Sequence, residues 1–169
     1  MLNPKNREGL SKGDASFLEI IDKYGWHVMT VAPRVDSQDK QEWFSYSTGL
    51  YARFQQPEVI IFGLDNETAS GMVNEIGSGF KAGRKFSIGT DCEDIFADGV
   101  LCQFKEVHSS WYPEYVGFSQ WFYEGEYFPL WQCFWPDDSG FFPWQPECHP
   151  EVAESQPLLF VPRGIETVQ

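Results

Sequence analysis

Positive charge is scarce in this chain. Twelve Lys and Arg stand against 25 Asp and Glu, a formal net charge of −13 over 169 residues. A surface of that sign repels phosphate backbones and anionic lipid, so neither nucleic-acid binding nor membrane binding is expected. It speeds encounter with a basic protein partner, and it also serves plain solubility. Long apolar runs are missing too. Val59-Ile60-Ile61-Phe62 is among the longest, far below a membrane span. Met1 to Leu10 carries Pro4, Lys5, Arg7 and Glu8 where a signal peptide would have its apolar centre. The expected location is therefore cytoplasmic.

Cysteine and histidine are few and unpatterned. Cys92, Cys102, Cys133 and Cys148 form no C-x-x-C pair and no zinc-finger spacing. A chain of this size without export signals does not imply a disulfide framework. Cys102 and Cys133 lie in apolar runs and read as small buried hydrophobes. Cys148 adjoins His149, but neighbours on an extended chain point to opposite faces and chelate poorly. His27, His108 and His149 make no H-x-x-x-H or H-x-E pattern. Gly77-Ser78-Gly79 fails the dinucleotide fingerprint and follows a helix rather than a strand. No metal ligand set, no cofactor motif and no complete catalytic constellation is present.

Aromatic residues are plentiful: seven Trp, seven Tyr and fifteen Phe. Such side chains bury large areas, and they also suit binding grooves. One domain is expected over residues 11–169, after a loose arm at 1–10 and ending in an extended Pro-rich segment. Asp14 can cap a first helix, with Phe17, Leu18, Ile21 and Tyr24 at helical spacing and Gly25 as its stop. Strands are expected at 27–31, 43–48, 57–62, 100–107 and 130–135. The run after Pro57 suits a strand buried on both faces. A helix capped by Asp65 or Asn66 should carry Met72, Val73, Ile76 and Phe80 on one side. Trp111 to Tyr123 reads as helical. Pro136-Asp137-Asp138-Ser139-Gly140 reads as an exposed turn. The fold class is therefore α+β: a mixed, mainly antiparallel sheet of five or six strands with two or three packed helices.

Several segments, taken in order, resemble domain of unknown function family 4262, a largely bacterial set. They are Trp26-His27-Val28, Phe44-Ser45-Tyr46-Ser47-Thr48-Gly49-Leu50 and Gln56-Pro57-Glu58-Val59-Ile60-Ile61-Phe62-Gly63-Leu64. Gln132-Cys133-Phe134-Trp135-Pro136-Asp137, Gly140, Phe142-Pro143-Trp144 and Gln156-Pro157-Leu158-Leu159 follow. Family members often read Tyr-Thr-Val-Gly-Leu where this chain has Tyr46-Ser47-Thr48-Gly49-Leu50. They often read His-Pro-Glu where it has Gln56-Pro57-Glu58, so a chemistry using that histidine would be lost here. The resemblance implies an architecture and no activity.

Two polar groups are candidate sites. Tyr46, Ser47, Thr48 and Glu58 could meet at one sheet end, where Glu58 would bind a polar ligand or act as a base. The leading reading of this group is structural: Glu58 caps or braces the turn after Leu50, with Tyr46 in the core. Gln132, Trp135, Asp137, Asp138 and Trp144 could bind a sugar or a cation, though Asp-Asp-Ser-Gly is ordinary turn chemistry. The leading expectation is a non-catalytic acidic binding module engaging a basic protein partner, as an antitoxin, immunity or anti-defence protein would. The alternative is an enzyme or small-ligand protein with a polar pocket around Tyr46, Glu58 and Asp137. A shared concavity would favour the alternative, and scattered, satisfied side chains the binding module.

Overall fold

A computed structural model describes residues 10–33, 42–93, 95 and 99–164. The expected N-terminal arm at 1–10 therefore lies, but for Leu10, outside the described residues.

Helix α1 (Lys12–Tyr24) starts at Ser11, whose Oγ accepts from the Asp14 N–H at 3.1 Å. Asp14 was expected to be the cap; it lies instead in the first turn, where its charge favours the helix dipole. Gly25 ends the helix at φ +103°, its N–H bonding Ile21 O. Strand β1 (His27–Val31) pairs antiparallel with β2 (Phe44–Thr48), and β2 pairs antiparallel with β3 (Glu58–Phe62). A five-residue helix, α2 (Leu50–Phe54), bridges β2 and β3. Helix α3 (Asn66–Lys81) is capped by Asp65, which accepts from both the N–H and the hydroxyl of Thr68.

Strand β4 (Gln103–Glu106) is shorter than the expected 100–107. Cys102 is diverted into an isolated bridge with Cys92, and Val100 is 44% exposed. The aromatic stretch after β4 is broken rather than one helix. A 3-10 turn at Ser109–Trp111 runs into α4 (Tyr112–Tyr115), and α5 (Gly117–Phe122) follows a kink at Val116. Strand β5 (Leu130–Phe134) pairs antiparallel with β4 and parallel with β3. The Pro-rich tail was expected to be extended, yet it contains a short helix, α6 (Pro150–Ser155), started by Pro150 at its first turn.

The sheet order is β1-β2-β3-β5-β4, mixed, with β3–β5 the single parallel pairing of strands among the described residues. Among the described residues two longer helices, α1 and α3, and four short ones accompany it, which makes an α+β fold. Successive β3 side chains go to opposite faces. Ile60 and Phe62 join Leu18, Tyr46, Phe122 and Tyr123 in one core. Val59 and Ile61 join Val73, Ile76, Phe104 and Cys133 in another. The sheet is thus sandwiched: α1, α4 and α5 supply one cover and α3 the other, which is why β3 is buried along its whole length.

Candidate functional site

Glu58 begins β3 and has no exposed surface. Its Oε1 accepts from Ser47 Oγ at 2.7 Å and from the Leu50 N–H at 3.1 Å. Its Oε2 accepts from the Gly49 N–H at 2.8 Å and from the Tyr123 hydroxyl. The two hydroxyls are themselves anchored. Ser47 Oγ accepts from the Val59 N–H, and the Tyr123 oxygen from the Ala52 N–H. A carboxylate thus closes the start of α2, whose N-cap residue Gly49 has no side chain to do so. Burial pushes the Glu58 carboxyl above its usual value, against the four donors that hold it down. Close by, Thr48 Oγ1 and Ser119 Oγ are 2.7 Å apart, and Ser119 bonds Ser47 O at 3.3 Å. Tyr46 is a core residue whose hydroxyl reaches Met29 Sδ at 3.3 Å. Burial raises its pKa to about 12.

The first candidate cluster therefore assembles, but inside the protein. Tyr46, Ser47, Thr48 and Glu58 are all buried, and the principal concavities are lined by other residues. Ser119 and Tyr123 complete it. Nothing local in the sequence tied them to Glu58. The only hint was that a carboxylate at a buried strand start must find donors somewhere.

The second cluster is dispersed. Gln132 is buried in β5, donating from Nε2 to Pro157 O at 2.7 Å and accepting from the Leu159 N–H at 3.3 Å. It fastens the C-terminal segment. Gln156 continues this by accepting from the Trp135 N–H and donating to Trp135 O. The Trp135 indole donates to Phe62 O at 2.8 Å. Trp144 stacks on Phe142 and meets Phe134 edge-on, with Lys105 Nζ 4.4 Å from its ring centroid.

Asp137 is more engaged than an exposed turn residue should be. Its Oδ1 accepts from Ser139 and Phe141 N–H, and its Oδ2 from His149 N–H at 2.8 Å. These bonds to the charged form, Phe141 first, hold its pKa below the usual carboxylate range. His149 and His108 each accept a backbone N–H two residues on, at Glu151 and Ser110, and so act as turn caps. Among the described residues no group of His, Cys, Asp or Glu is arranged to hold a metal ion.

Two concavities border the second cluster, both lined by Trp135, Pro136, Asp137 and Asp138, and one of them, of about 810 Å³, extends along Pro146 to Val152. The other, a groove of about 500 Å³, is lined by Leu64 and Met72, by Val100 and Leu101, and by Trp135 and Pro136. Asp137 and Asp138 belong to its lining as well. Its lining is mainly apolar and aliphatic, unlike the buried Glu58 cluster. Leu64, Val100 and Leu101 were not expected there, and Met72 was expected on one side of its helix with Val73, Ile76 and Phe80. The half-exposure of Met72 on the α3 face is the feature that the helical periodicity concealed.

A family model described as Domain of unknown function (DUF4262) matches residues 20–149 of this chain. The chain belongs to the DUF4262 family. The matched span of this DUF4262 protein contains the five strands, the Glu58 cluster and the Trp135–Asp138 rim of the groove. No curated protein and no solved structure matches the chain. No described helix of this DUF4262 domain is long and apolar enough to cross a membrane.

Proposed function

We propose that this DUF4262 chain is a non-catalytic binding module, and that the Leu64–Met72–Trp135 groove receives an apolar side chain from a basic protein segment. The observation that carries this reading is that the Glu58 cluster and Gln132 line none of the principal concavities. Glu58, Ser47, Thr48 and Gln132 spend their hydrogen bonds on the protein's own backbone and hydroxyls. Glu58 lines none of the concavities that Asp137 borders, which supports the binding module over a pocket shared by the two. The groove combines apolar walls with Asp137 and Asp138 on a chain of net charge −13. A Lys- or Arg-flanked hydrophobic anchor complements both features. Inhibition of a basic nucleic-acid-processing enzyme in the cytoplasm, as by an antitoxin, immunity or anti-defence protein, is the role that this chemistry fits.

The test compares capture by the parent protein and by Met72→Glu, at low and at raised salt. The expected result is a basic protein retained by the parent, lost with Met72→Glu, and weakened as salt screens the carboxylates. A partner held equally by both proteins refutes the groove. A small molecule retained in native mass spectrometry and displaced by Met72→Glu would favour the ligand-binding alternative.

A further inference from the structure

Three of the four cysteines gather on the α3 side of the sheet, beside β4. Cys92 and Cys102 face each other across an antiparallel bridge and exchange both backbone hydrogen bonds, at 2.8 and 3.1 Å. Directly opposed residues of such a bridge project to the same face. In a hydrogen-bonded pair their Cα atoms stand about 5.5 Å apart, inside the roughly 4.4–6.8 Å that a disulfide spans. Cys102 and Cys133 are fully buried in the α3-side core, and the Cys133 thiol hydrogen-bonds Cys102. That second pair is diagonal. Cys133 lies opposite Phe104, two residues past Cys102. Diagonal positions are separated by about 7–8 Å, beyond disulfide reach without backbone movement. Cys92 alone of the three is half-exposed.

We propose that Cys92 and Cys102 form a reversible redox couple, with a hydroperoxide as oxidant and Cys92 as the point of entry. The Cys92 thiol gives up its proton and the thiolate attacks the peroxide. The O–O bond breaks, the leaving alkoxide or hydroxide takes that proton and departs as alcohol or water, and Cys92 is left as its sulfenic acid. The Cys102 sulfur then attacks the Cys92 sulfur. The S–S bond forms, the S–O bond breaks, and the hydroxyl leaves as water with the proton of Cys102. Two thiols lose two electrons in total and the peroxide gains them. Cys133 stays reduced, because its diagonal register sets the backbones too far apart for a bond although its thiol touches Cys102, and that hydrogen bond, then burial, raises its thiol pKa. Val100 and Leu101, which line the groove, immediately precede Cys102. The bond therefore ties that wall of the groove to the Cys92 segment. The disulfide itself is independent of whether the groove binds a partner.

The experiment treats the native full-length protein with hydrogen peroxide and blocks remaining thiols. A protease cutting after glutamate then separates the two cysteines at Glu93. Mass spectrometry of the non-reduced digest should show Cys92 and Cys102 peptides linked, released again by a thiol reductant, with Cys133 blocked as a free thiol. Cys92→Ser should abolish the link while leaving the unfolding midpoint of the reduced protein unchanged. A Cys102–Cys133 link, over-oxidised Cys92 without a link, or thiols that all remain free would each overturn the proposal.

Discussion

Replacing Glu58 removes one acceptor from four buried donors, and the consequences can be worked out donor by donor. In Glu58→Ala the hydroxyls of Ser47 and Tyr123 can rotate toward other acceptors. The N–H groups of Gly49 and Leu50 cannot turn away, because the start of α2 fixes them. Each unsatisfied buried donor costs about 1–3 kcal/mol, so the expected loss is about 2–6 kcal/mol before any cavity is counted. Glu58→Gln keeps the volume and one carbonyl. Whichever way its amide turns, its NH₂ faces either Gly49 N–H or Leu50 N–H, which leaves one backbone donor opposed and a loss of about 1–3 kcal/mol. Urea unfolding measures both, with a lower midpoint and an unchanged slope as the signature of lost stability. A Glu58→Ala protein within about 0.5 kcal/mol of the parent would refute the bracing role, because only superficial substitutions cost so little. If it also lost partner or ligand binding, Glu58 would be a functional residue.

Other positions give sharper contrasts. Gly49 sits at φ +118°, and a Cβ there would run into Gly25 O and lie 2.9 Å from Trp26 Cα. Gly49→Ala is therefore expected to cost at least about 2 kcal/mol, read as a fall in Tm. Gln132→Leu leaves Pro157 O and Leu159 N–H unpaired, so limited proteolysis should cut the C-terminal segment sooner than in the parent. Stability should depend on pH with two opposite signs. The raised Glu58 pKa gives stability that is full below the usual 4.5 and is lost as pH rises through the folded value. The lowered Asp137 pKa gives stability present above 3.8 and lost as pH falls through the folded value. Glu58→Gln should flatten the first limb and Asp137→Asn the second, in unfolding midpoints followed across pH.

Short-range patterns carried most of the secondary structure. Strand-forming residues, with an unbroken apolar run in β3, placed β1, β2, β3 and β5 within a residue or so, because each strand has a side facing an apolar core. The β4 run misled at Val100 to Cys102, where apolar residues line a groove and a bridge instead of a ladder. Trp111 to Tyr123 has helical spacing, but the break at Val116 lets Ser119 and Tyr123 approach β2 and Glu58. The expected meeting of Tyr46, Ser47, Thr48 and Glu58 rested on a short connection and is seen. The second group lies at the other end of β3, where the Trp135 indole meets Phe62 O. Gln132 turns to Pro157 and Leu159, and Asp137 to its own loop and His149, partners that no periodicity announces.

The single parallel pairing also bears on how the chain reaches its native state. Strands β1, β2 and β3 are joined in sequence and can zip together through local contacts. The β3 edge then waits for β5, since Glu58 pairs with Leu130 and Ile60 with Gln132. Closing so long a stretch of chain is entropically slow, so docking of the β4–β5 half should limit the folding rate. During synthesis Val59 to Phe62 would stand as an unpaired apolar edge until residues 130–134 emerge. The strand that is most deeply buried in the finished molecule is thus the one most exposed to misassociation while the molecule is being made.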